Sequence, residues 1–272
     1  MRVALVQLGY DDDESVPHRR ERAAELVRAQ AGHDLVVLPE LWAPGGFAYR
    51  EWPDRAEPLD GPTLRCLAEA AWDAGVVLHG GSIVEQAVPG APAGPQGRGL
   101  WNTSLVLGPD GSLLASYRKV HRFGFGAGEP RLLEAGEDVV TVDVPQPASG
   151  RPPVRLGLAT CYDLRFPEMF RLLLDAGARV VVVPAAWPAP RVAHWTLLGR
   201  ARAVEDQVFV VACNTAGTHA GHRMGGRSQV VGPSGEVLAE AGDDEQVLSV
   251  ELDVEGLDAV RDAFPVLRDR RL

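Results

Sequence analysis

Leu35-Val36-Val37-Leu38-Pro39-Glu40 sets a short apolar run, half of it β-branched, directly before a proline and a carboxylate. The run has the composition of a strand, and proline ends it. Similar runs recur at Val3–Leu8, Val76–Leu78, Ser104–Leu107, Val154–Ala159, Val180–Val183, Val208–Ala212 and Val247–Leu252. Longer amphipathic stretches separate several of them. One covers Val16–Ala31, with Ser15 as N-cap, Pro17 in the first turn and Gly32 as the stop. Others cover Thr63–Ala74, Glu168–Ala176 and a segment from near His194 through Glu205. This alternation predicts an α/β protein with helices packed on sheet faces.

Two turn signals interrupt the alternation. Gly108-Pro109-Asp110-Gly111 joins Leu105–Leu107 to Leu113–Ala115, and Gly232-Pro233-Ser234-Gly235 joins Val230-Val231 to Val237-Leu238. Glycine and proline so placed connect antiparallel strands, so mixed sheets are expected. Gly80-Gly81 lacks the Lys-Ser/Thr of a phosphate loop and reads as tight packing at a strand end. The segment from Val88 to Gly99, VPGAPAGPQGRG, reads as a loop.

The chain has 272 residues of even composition, 46% hydrophobic and 24% charged, which suits a single globular domain over 1–272. Val180–Val183 is too short to span a bilayer. The N-terminal apolar stretch runs straight into acids with no small-residue cleavage site, and reads as a strand. Three scattered cysteines give no disulfide framework and suit a reducing cytoplasm. A net charge of −10 argues against nucleic acid or an anionic membrane as partner.

Three reactive residues stand just beyond strand-like segments. Leu35–Pro39 leads to Glu40, the second arm of the first hairpin to Lys119, and Val154–Thr160 to Cys161. Open α/β sheets bind ligands outside the carboxyl ends of their strands, so a carboxylate, an amine and a thiol can converge there.

The surroundings of all three resemble the nitrilase, or carbon–nitrogen hydrolase, superfamily. The matching elements are LVVLPELW around Glu40, YRKVH around Lys119 and GLATCYDLRFPE around Cys161. PAAWP at 184–188, HWTLLGRARAVEDQVFVVACNTAG at 194–217 and SQVVGPSGEVLAEAG at 228–242 extend the likeness in order along nearly the whole chain. CYDLRFPE is most similar to the branch of ω-amidases and deaminated-glutathione amidases. The resemblance implies a four-layer α-β-β-α sandwich of two mixed sheets and protomers that pair into a homodimer or larger homo-oligomer. It implies hydrolysis of a small linear amide, a dicarboxylate monoamide by preference, with release of ammonia. An N-carbamoyl amino-acid hydrolase or a nitrilase is the near alternative, and a non-catalytic sensor or assembly protein the remote one.

An amide carbon is a poor electrophile, so attack needs a strong nucleophile and a stabilised oxyanion. Cys161 is the expected nucleophile, with the Lys119 ammonium favouring its thiolate. Glu40 is the expected base, passing the thiol proton to departing ammonia and then activating water against the thioester. Lys119 and the backbone N–H of Tyr162 are the expected oxyanion donors. This route needs no metal and no cofactor.

The resemblance also implies a second glutamate between lysine and cysteine. Glu129 is the choice, with Glu134 and Glu137 competing, and RFGFGAGEP (122–130) departs from the usual family residues there. Arg165 is read as binding a substrate carboxylate, or else as pairing with Asp163 or Glu168. Trp187 is read as a pocket wall or as core. Cys66 and Cys213 read as buried small hydrophobes. His121 is expected to brace the Lys119 loop, and His194 to cap or pack its helix near Trp195. His219 and His222 flank a glycine turn without a third ligand at zinc spacing.

Overall fold

Alternation along each strand sorts side chains to opposite sides. Val3 and Leu5 enter one apolar core while Ala4 and Val6 enter another, and Leu35 and Val37 part from Val36 and Leu38 in the same way. The computed structural model describes residues 1–271 and arranges these faces into four layers.

The first six-stranded sheet runs in the order Gln246–Glu251, Arg2–Gln7, Leu35–Val37, Val77–Gln86, Leu100–Leu107 and Leu113–Arg118. Arg2–Gln7, Leu35–Val37 and Val77–Gln86 are parallel, and the flanking pairs are antiparallel. The second sheet runs Val237–Glu240, Gln229–Val231, Phe209–Asn214, Val180–Ala185, Val154–Leu158 and Thr141–Val144. Its parallel strands are Val154–Leu158, Val180–Ala185 and Phe209–Asn214. Both expected hairpins form, and both sheets are mixed. A small third sheet joins Gly9–Tyr10, Ala216–His219 and His222–Arg223.

The inner faces of the two large sheets share one core, with Val3, Leu5, Val37 and Tyr117 on one side and Leu156, Val180 and Val211 on the other. Cys213 sits between the sheets, its thiol directed at the Val6 and Val37 carbonyls, each 3.4 Å away. Helices Val16–Arg28 and Pro62–Ala74 cover the outer face of the first sheet through Ala23, Val27, Leu67 and Ala71. Helices Pro167–Asp175 and Val192–Asp206 cover the second through Phe170, Leu173, Trp195 and Ala203.

Four local expectations change. The first helix ends at Arg28, short of Ala31, and Gly32 (φ 90°) lies in the turn beyond it. Cys66 is only half-buried on its helix, because its side chain lies at the border of the apolar stripe. His194 lies within the first turn of Val192–Asp206 as an exposed residue and neither caps nor packs it. Gly80 and Gly81 do not end a strand but lie inside Val77–Gln86, at an irregularity in its pairing with Leu100–Leu107.

That irregularity makes room for the chain leading to Glu40. Gly81 has φ of 69°, and a Cβ there would stand 1.9 Å from the Pro39 carbonyl oxygen. The glycine lets the Pro39-Glu40 backbone lie against the neighbouring strand. Gly81→Ala should therefore lower stability by at least about 1–3 kcal/mol, since it forces a side chain into left-handed backbone as well as a clash. A urea unfolding midpoint equal to that of the unsubstituted protein would refute this account.

Candidate active site

Lys119 follows the last residue of the Leu113–Arg118 strand, and its backbone N–H still donates to the Asn102 carbonyl at 2.8 Å. The pairing turns its side chain inward, where it is 2% exposed. An ammonium so buried needs charged partners. Its Nζ donates to Glu40 Oε1 at 2.7 Å and to Glu129 Oε1 and Oε2 at 3.1 and 3.0 Å. Glu40 and Glu129 are each 3% exposed.

Asn102 closes this cluster from the Leu100–Leu107 strand. Its Nδ2 donates to Glu40 Oε1 at 2.8 Å and to Glu129 Oε1 at 2.7 Å. Glu40 Oε2 accepts from the Ala186 N–H at 2.9 Å, just past the Val180–Ala185 strand of the other sheet. Glu129 also accepts from the Phe123 backbone N–H. The competing acids stand elsewhere. Glu134 accepts from the N–H groups of Gln96 and Arg98, at 3.1 and 2.8 Å, which ties down the loop between Val88 and Gly99. Glu137 is exposed beside Arg118 and Trp101 in a separate cavity.

Cys161 opens a 3-10 turn, Cys161–Arg165, that begins as the Val154–Leu158 strand ends. Its φ of 49° is left-handed, a conformation that a non-glycine residue adopts only when its surroundings hold it. Asp163 does the holding. Fully buried, it accepts from Thr160 N–H at 2.8 Å, Tyr117 Oη at 2.7 Å, and His121 N–H and Nδ1 at 2.9 and 2.8 Å. The same carboxylate thus fixes the cysteine turn and, through Tyr117 and His121, the backbone flanking Lys119. Tyr162, next in the turn, has a backbone N–H at a position where helices lack internal acceptors.

The electrostatics alter one expectation. Burial, followed by the charge of Glu40, raises the Cys161 thiol well above the ordinary range, and Lys119 offsets this only in part. Lys119 is already matched by two carboxylates, so it does not leave a thiolate favoured at rest. Burial works against the Lys119 ammonium, yet Glu129 and Glu40 hold its pKa well above the usual lysine value. Burial and the Glu40 charge push Glu129 upward against the pull of Lys119.

Cys161, Glu40, Lys119 and Glu129 line one narrow cavity, and Cys161 also lines an adjoining one with Tyr162, Arg165 and Trp187. Trp187 is 3% exposed and serves as both wall and core, its ring 5.5 Å from Trp195. Arg165 forms an ion pair with neither Asp163 nor Glu168. Its guanidinium lies 4.7 Å over the Trp187 ring and 3.4 Å from His194 Nδ1. Asn102 was not singled out by sequence, although it shares a strand face with Ser104, two residues on. A wider mouth outside is lined by Phe47, Phe123, Phe125, Arg191 and His222.

The family model for carbon-nitrogen hydrolases matches residues 2–262. The chain belongs to the carbon-nitrogen hydrolase family. It is 42% identical over 269 residues to the 2-oxoglutaramate amidase of Paenarthrobacter nicotinovorans, covering 99% of this chain and 89% of that protein. It is 36% identical over 281 residues to the Homo sapiens omega-amidase, covering 99% and 95%. Saccharomyces cerevisiae Nit3, a member of the nitrilase superfamily, superposes with a TM-score of 0.83 at 32% identity, covering 100% of this chain and 97% of that one. The chain is thus a carbon–nitrogen hydrolase with the family's four-layer fold, and among its described residues no helix is long and apolar enough to cross a membrane.

The raised thiol gives a pH prediction. A thiol with elevated pKa is neutral at pH 7, so its thiolate fraction grows with pH beyond pH 9. Alkylation of Cys161 by iodoacetamide should rise about tenfold per pH unit through that range. Glu40→Gln removes a negative charge beside the sulfur and should move the profile to lower pH. A plateau below pH 8 in the unsubstituted protein would contradict the assignment.

Proposed function

We propose that this hydrolase cleaves the amide of a dicarboxylate monoamide through a Cys161 thioester, releasing ammonia and a carboxylic acid. The observation that carries the reading is the Glu40–Lys119–Glu129 cluster, bonded at 2.7–3.1 Å in the cavity that Cys161 lines. The names of the relatives support the substrate class, since both are amidases of ω-amide type.

In this reading Glu40 takes the thiol proton while Sγ attacks the amide carbon. A resting neutral thiol requires such a base, because no thiolate is stored in advance. Two directions of the Lys119 ammonium are occupied by Glu40 and Glu129, which leaves its third N–H for the oxyanion. The Tyr162 N–H is the second donor. As the tetrahedral intermediate collapses, the C–N bond breaks and Glu40 returns its proton to nitrogen, so ammonia leaves. Water then attacks the thioester, giving Glu40 a proton that ends on sulfur when the C–S bond breaks. Glu129 and Asn102 position Lys119 and Glu40, and no step calls for a metal or cofactor. Arg165, stacked on Trp187 and without a carboxylate partner among the described residues, supports recognition of the substrate's acid end.

The same reading places one domain over the chain in the cytoplasm and pairs it into a homodimer or larger homo-oligomer. Exposed Leu172, Leu197 and Val204 on the outer helices support that pairing.

Ammonia release from monoamides, ureido acids and nitriles, with Cys161→Ala as the blank, tests the reaction. Dicarboxylate monoamides should lead the series, and Lys119→Ala should lower kcat by about 10²–10³ with a lesser effect on KM. Cysteine-dependent turnover led by ureido acids or nitriles would discard the substrate class, and a Lys119→Ala defect confined to KM would discard its charge-stabilising role.

A further inference from the structure

The pocket beside Cys161 contains a second guanidinium that neither the sequence reading nor the mechanism above uses. Arg191 ends a 3-10 turn, Ala189–Arg191, just after Trp187. The Trp187 indole N–H donates to the Arg191 carbonyl at 2.7 Å, which fixes the turn against the pocket wall. The Arg191 side chain returns over the Phe123 ring at 5.5 Å and is half-buried there. Arg165 reaches the same pocket from the cysteine turn and lies over Trp187.

Neither guanidinium has a carboxylate partner among the described residues, whereas Arg19, Arg22, Arg118 and Arg202 are each bound to glutamates. Among the described residues no aspartate or glutamate lines this pocket or its mouth, and Glu40 and Glu129, in the adjoining cavity, are bound to Lys119. Two partly desolvated cations in one cavity repel each other unless an anion lies between them. In a chain of net charge −10, their convergence on the nucleophile's cavity marks a local positive site.

We infer that Arg165 and Arg191 form a two-sided clamp for the substrate's distal carboxylate, with Trp187 and Phe123 as the supports that aim them. The inference rests on the proposed monoamide reaction and gives it an acid-recognising subsite. Arg165 grips the carboxylate from the Trp187 side and Arg191 from the Phe123 side. The aromatic faces hold each fork in place, so that binding the anion orders little else.

The test compares glutaramate with pentanamide, which has the same chain length but lacks the carboxylate. In Arg191→Met the ratio of kcat/KM for glutaramate to that for pentanamide should fall about tenfold to a hundredfold, mainly through the KM of glutaramate. Arg191→Lys, which keeps the charge without the fork, should recover part of that ratio. The double variant with Arg165→Met should lose less than the product of the single losses, because both grip one carboxylate. Protection of Cys161 from iodoacetamide by glutarate reads the same subsite without turnover. Its half-protecting concentration should rise about tenfold in Arg191→Met.

An unchanged substrate ratio with unchanged glutarate protection in Arg191→Met would overturn the clamp. Failure of the unsubstituted enzyme on every monoamide, with glutarate protection still sensitive to Arg191→Met, would instead sink the proposed reaction and leave the anion site standing.

Discussion

The Lys119 ammonium, buried between Glu40 and Glu129, is the constraint around which this molecule is arranged. A lone charge at 2% exposure would be prohibitively desolvated, so the fold must deliver carboxylates to it. It does so from separate parts of the chain. Glu40 comes from the end of a central parallel strand, Asn102 from the antiparallel strand two places along the same sheet and Glu129 from a short helix after the lysine loop. Glu40 also accepts from Ala186 of the second sheet. The cluster is thereby tied to the second sheet, and a slide of the two layers would leave a buried carboxylate oxygen without its donor.

Asp163 plays the complementary part for the nucleophile. Its four short hydrogen bonds reach Thr160, Tyr117 and His121, so the left-handed turn at Cys161 and the strand end carrying Lys119 share one anchor. Thiol and ammonium are thereby fixed relative to one another before any substrate arrives, the preorganisation that makes oppositely charged donors effective in a dry site. Burial and then the charge of Glu40 push the thiol's pKa up, and Lys119, already balanced by two carboxylates, offsets this only in part. A thiol held neutral beside a carboxylate is suited to proton transfer concerted with attack.

The loop after Lys119 links this chemistry to access. Phe123 donates its backbone N–H to Glu129, while its ring meets Tyr162 edge-on at 5.4 Å and lies under the Arg191 guanidinium. One residue thus braces Glu129 and shapes the mouth. The unusual segment from Arg122 to Pro130 leaves the cluster intact and alters the wall instead, because the cluster takes from it only the Glu129 carboxylate and the Phe123 N–H.

The layered fold and the three reactive residues were legible in the sequence, because strand alternation and strand-end placement are local patterns that survive into the structure. Leu35–Glu40, Ser116–Lys119 and Val154–Cys161 each encode a strand and what stands beyond it. Selection of Glu129 over Glu134 and Glu137 was not local: three glutamates within nine residues look alike until the turn at Gly128 directs one to Lys119 and the loop near Gly94 claims another. Asn102 was hidden for a related reason, since an asparagine in a strand carries no sign of which charges will flank it. The direction of the thiol's pKa also depended on its burial and then on the assembled charges, as a nearby lysine favours a thiolate only if its own charge is not already spent. Periodicity and motif order determined the architecture and the reaction class, while partner choice among buried charges belonged to tertiary structure, because desolvation and Coulomb energies depend on distances that only the folded chain fixes.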